Sequence, residues 1–133
     1  MSELAEFDDL NQLKSLLHAG VEFKFHISDG LSVLDGSPIY AAALGNIREA
    51  LIEGLRYNSR LEEARAQAEL YQLGRNSRIF NLVVRRVYSY PRWREFDEFE
   101  LRDWIGALAS PFVVDNEVFE AIRAEVEKND RIK

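Results

Sequence analysis

The 133 residues contain no cysteine. That excludes a disulfide framework, a thiolate metal site, an iron–sulfur cluster and a cysteine nucleophile. Histidine is almost as scarce. His18 and His26 are the only two, and neither has a partner at the short spacing of a zinc site, so no metal is expected. Proline and glycine are few, with three and seven residues, and the glycines are scattered. No Gly-x-Gly-x-x-Gly run, Gly-Lys-Ser/Thr loop or Gly-x-Ser-x-Gly elbow occurs, and no cofactor is expected. Long apolar runs are missing too. The longest, residues 39–44 with Tyr40 counted as apolar, has six residues, against the roughly 18 that a membrane span needs. The start, MSELAEFDDL, is acidic and lacks the basic and apolar regions of a secretory signal. These absences together predict a cytoplasmic protein that does not enter membranes.

What is present is ordinary globular usage, 47% hydrophobic and 30% charged, in a length that suits one domain over residues 1–133. Seventeen basic residues face 23 acidic ones, a net charge of −6. That total argues against non-specific nucleic-acid binding. The charge is unevenly spread. Residues 1–59 carry −5, residues 60–94 carry +5 with every cation an arginine, and residues 95–133 carry −6.

Spacing predicts an α+β fold, mainly helical: five or so helices with a small β-hairpin. Leu4, Phe7, Leu10, Leu13 and Leu17 mark one helix face, with Gly20 as its stop. In residues 21–27, Val21, Phe23, Phe25 and Ile27 alternate with Glu22, Lys24 and His26, the pattern of a strand. Asp29-Gly30 offers a turn, and residues 31–34 a returning strand. Ser37 caps a helix with Pro38 in its first turn. That helix is expected to bury Ile39, Ala43, Ile47, Ala50 and Leu51, with Gly45 as a point where it can split. Ser59 and Glu62 have the spacing of a capping box for the next helix. Residues 78–90 fit a helix or a third strand equally well. Residues 97–109 read as a helix burying Leu101, Trp104, Ile105 and Leu108. Asp115 caps a last helix burying Val118, Phe119, Ile122 and Val126, with a frayed tail.

The arginine-rich middle is the candidate binding segment. Arg75, Arg78, Arg85, Arg86, Arg92 and Arg94 interleave with Tyr88, Tyr90 and Trp93. Guanidinium forks and aromatic faces serve protein hot spots, and they also hold phosphates and bases. Trp93, between two arginines after Pro91, is the expected exposed anchor. The acidic run from Glu95 to Glu100, with Asp103, offers carboxylates to a basic partner or simply decorates a helix start. The leading expectation is a non-catalytic adaptor or inhibitor that binds a protein partner, including a complex that handles nucleic acid. Direct nucleic-acid binding through residues 75–94 is the second. A metal-dependent nuclease is the third, because Glu22 and Lys24 would share one face of a strand.

Overall fold

The computed structural model describes residues 9–25, 36–74 and 77–132, and the side chains as far as residue 130. Among the described residues six α-helices follow one another: α1 (Leu10–Phe25), α2 (Pro38–Tyr57), α3 (Leu61–Leu70), α4 (Arg78–Ser89), α5 (Glu98–Ala109) and α6 (Asn116–Ile132). A 3₁₀ turn at Trp93–Glu95 precedes α5. No described helix is long and apolar enough to cross a membrane.

The expected α+β class is therefore corrected: the described residues form helices and no sheet. Residues 21–25 are the end of α1, not a strand. Leu13, Leu17, Val21 and Phe25 recur every four residues, and this longer helical period overrides the short alternation. Leu13, Leu17, Lys24 and Phe25 are buried, whereas Phe23 is 66% exposed. Gly20 does not stop the helix. A Cβ there would lie 2.5 Å from Leu44 Cδ2, so the glycine lets α1 and α2 approach closely. The returning strand over residues 31–34, with Leu4, Phe7 and His26, lies outside the described residues.

Residues 78–89 are helix α4, not a third strand. Ser77 Oγ accepts from the Phe80 amide at 3.0 Å and caps it. The exposed positions Arg78, Asn81, Arg85 and Ser89 form one polar stripe at helical spacing, and the apolar remainder is buried. Helix α6 continues through the expected tail as far as Ile132.

Of the three helix caps read from the sequence, Ser37 and Asp115 form and Ser59 does not. Ser37 Oγ accepts from the Tyr40 amide at 3.2 Å as expected. Ser59 is not an N-cap. It sits at φ 60°, and the bonds from the Ser59 amide to Arg56 O and from the Arg60 amide to Leu55 O close a Schellman motif at the end of α2. The capping box forms instead at α5, between Asp97 and Glu100. Asp115 Oδ1 accepts from the Val118 amide at 2.8 Å, as expected for α6.

The core has two parts. Leu13, Leu17, Leu51, Ile52, Leu55, Ala64 and Tyr71 join α1, α2 and α3. Helices α4, α5 and α6 pack around Val83, Val87, Ile105, Leu108, Phe119 and Ile122. Phe112 touches both parts, with its ring 5.7 Å from Phe25 and 5.4 Å from Tyr71. An isolated parallel bridge between Gln72 and Val113 ties the α3–α4 connection to the α5–α6 connection.

Candidate partner-binding groove

Of the described arginines of the segment, Arg86 is buried, and Arg78, Arg85, Arg92 and Arg94 are exposed. Arg86, 3% exposed, donates from Nη2 to Lys24 O at 2.9 Å. Arg78 donates to Phe25 O at 3.0 Å. Both guanidiniums thus meet carbonyls at the end of α1, where amide partners run out and the helix dipole favours a cation. Lys24 repeats the device one helix further on. Its buried ammonium donates to Ala107 O at 2.6 Å and Ser110 O at 2.7 Å, at the end of α5. Arg48 donates to Pro111 O at 2.7 Å in the same turn. Lys24 Nζ and the Arg86 guanidinium lie 5.4 Å and 5.5 Å from the centre of the buried Phe25 ring.

Two further arginines of the segment form ion pairs. Arg92 pairs with Glu95, and Arg94 with Asp130. In each case the hydrogen bond to the carboxylate raises the guanidinium pKa above its ordinary value. Tyr88 is half-buried. Trp93 is not the exposed anchor expected: it is 9% exposed and covers the core from the 3₁₀ turn. Arg75 lies outside the described residues. Arg85 is exposed and makes no hydrogen bond or ion pair among the described residues. The structure also parts Glu22 from Lys24. Two residues apart on a helix, they point to different sides, Glu22 exposed and Lys24 buried. No group of three or more potential metal ligands occurs among the described residues.

A different surface emerges from α2. Its first ten residues, Pro38–Ile47, carry no charge. The helix buries Ala41, Leu44, Leu51, Ile52 and Leu55, of which Leu51 alone is expected from the sequence. Of the residues expected in the core, Leu51 is buried and Ile47 packs against its cluster, whereas Ile39, Ala43 and Ala50 turn outward. Ile39 is 84% exposed, and Ala42, Ala43 and Ala50 are exposed as well. Beside this face, α2 and α5 enclose an open groove of about 610 Å³. Its walls are Pro38, Ala41 and Ala42 from α2 and Trp104, Gly106 and Ala107 from α5, with Glu100 and Asp103 at the rim.

The groove is held open by specific contacts. Ser110 Oγ donates to Ala41 O at 2.6 Å and pins the two helices together. Gly36 lies so close to the Trp104 ring that a Cβ would come within 2.4 Å of it. Tyr90 and Phe96 back the indole, with ring centres 5.4 Å and 6.3 Å away. Trp104 is only half-buried, and its Nε1 donates no hydrogen bond among the described residues. Phe99, one position before Glu100, is 80% exposed. Trp93 is thus interior, and Trp104 packs against the core as expected while also lining the groove. Tyr90 alone of the nine expected residues supports the groove.

An apolar groove with an aromatic wall can hold aliphatic or aromatic side chains, and its carboxylate rim can hold a cation. Compared with protein-family models, curated proteins and solved structures, the chain matches none.

Proposed function

We propose that this chain is a non-catalytic protein-binding module, acting as an adaptor or inhibitor, and that it docks through the outer face of α2 and the adjoining groove. The observation that carries this reading is the exposed apolar surface at the start of α2. The first ten residues of α2 carry no charge yet leave Ile39, Ala42 and Ala43 exposed, and exposed apolar surface beside a groove marks interaction sites. Ile39 and Phe99, each next in sequence to a groove-lining residue (Pro38 and Glu100), are exposed aliphatic and aromatic side chains. Burying one such side chain in an interface contributes about 1.5–3 kcal/mol.

Affinity capture from extracts of the native cell tests the reading. Wild-type chain is compared with Ile39→Asp and Ala42→Arg, each checked for unchanged helicity and melting temperature. Partners retained by wild type and lost by both variants support it. Identical retention contradicts it.

A further inference from the structure

We infer that the α2–α5 groove takes a basic peptide segment, helical or extended, in which an aliphatic or aromatic side chain fills the groove while an arginine or lysine reaches Asp103 and Glu100. The inference rests on the protein-binding reading and names the chemistry of the partner.

Charge complementarity selects this occupant. The two charged residues that line the groove, Glu100 and Asp103, are both acidic, and no cation lines it among the described residues. The neighbouring carboxylates are already used. Glu95 pairs with Arg92. Asp97 Oδ1 caps α5, and Glu100 accepts from the Asp97 amide through Oε1 but makes no ion pair among the described residues. Glu98 meets Arg102 and Arg123. Asp103 is exposed and makes no ion pair or hydrogen bond among the described residues. Its charge therefore lies beside an apolar groove without a cation of its own. Such a carboxylate contributes selectivity by attracting a basic partner and repelling an acidic one.

The same charges disfavour a second copy of this chain. A two-fold contact through the groove would set Asp103 and Glu100 of one copy near those of the other. It would do so in a chain whose net charge is −6.

The test is a display selection of random peptides of about 16 residues, roughly four helical turns, against the full chain. It is repeated on Asp103→Lys and Ile39→Asp, with size-exclusion light scattering in parallel. The expected result is enrichment of peptides pairing Arg or Lys with Leu, Ile, Phe or Trp. Their affinity should fall about tenfold or more on Asp103→Lys and weaken with salt. Apolar peptides without basic residues, lost on Ile39→Asp yet unmoved by Asp103→Lys, would overturn the inference and leave the protein-binding reading standing. Self-association lost on Ile39→Asp would place a second copy in the groove and overturn it too. No enrichment, or enrichment indifferent to both substitutions, would overturn both.

Discussion

The ammonium of Lys24, 2% exposed, lies 2.6 Å from the carbonyl oxygen of Ala107. A residue near the end of α1 thereby caps the end of α5. Arg86 and Arg78 of α4 do the same for α1. Replacing Lys24 by Met keeps the side-chain volume but leaves the carbonyls of Ala107 and Ser110 without this donor. Urea denaturation should show a loss of about 3 kcal/mol. A loss under about 0.5 kcal/mol, the scale of ordinary surface changes, would show that the cap contributes nothing.

Arg85 and Arg86 are neighbours that should respond in opposite ways. Arg85 is exposed, so Arg85→Glu should alter stability by no more than about 0.5 kcal/mol. Arg86 is buried against Phe25 and Lys24 O. Arg86→Glu should cost about 3–5 kcal/mol, because it puts a carboxylate where a carbonyl expects a donor. Thermal melts of the two variants compare them directly, and equal shifts would contradict the assigned burial.

Ser59 discriminates between the sequence expectation and the observed turn. As an N-cap, its loss to glycine would cost a few tenths of a kcal/mol. As the left-handed residue of a Schellman motif at φ 60°, Ser59→Gly should instead stabilise by about 1 kcal/mol. Chemical denaturation gives the sign.

At the start of α3, the hydrogen bond from Arg60 holds the Glu63 carboxyl below its ordinary pKa, with the charges of Arg60 and Lys14 adding to it. A lowered carboxylate pKa contributes stability that is present above the unfolded value and lost as pH falls through the folded value. Carbon-detected NMR titration should find Glu63 below the ordinary range in the wild type and closer to it in Arg60→Gln. An unchanged Glu63 titration would contradict the pairing.

The legible parts of the fold are those where cap and period agree. Ser37 with Pro38, Asp97 with Glu100, and Asp115 each precede an apolar face, and α2, α5 and α6 begin where these residues place them. Residues 21–25 satisfied two periods at once, and the connection to Leu13 and Leu17 decided between them. In α4 the apolar residues are too many to show a period, while the polar positions Asn81, Arg85 and Ser89 do show one. The site was less legible, because charge and aromatic content do not reveal direction. Arginines expected outside close helix ends inside. On α2, apolar residues lie on more than one side, and only packing against α1 and α3 decides which of them are buried.

The most direct test of the proposed docking surface is a photo-crosslinking amino acid placed at Phe99, beside the groove, and at Leu70 on α3 as the exposed control. The account predicts, in the native cell, a discrete adduct with a basic protein from position 99, abolished by Ile39→Asp, and no such adduct from position 70. The same adducts from both positions, or an adduct from position 99 that survives Ile39→Asp, would contradict it.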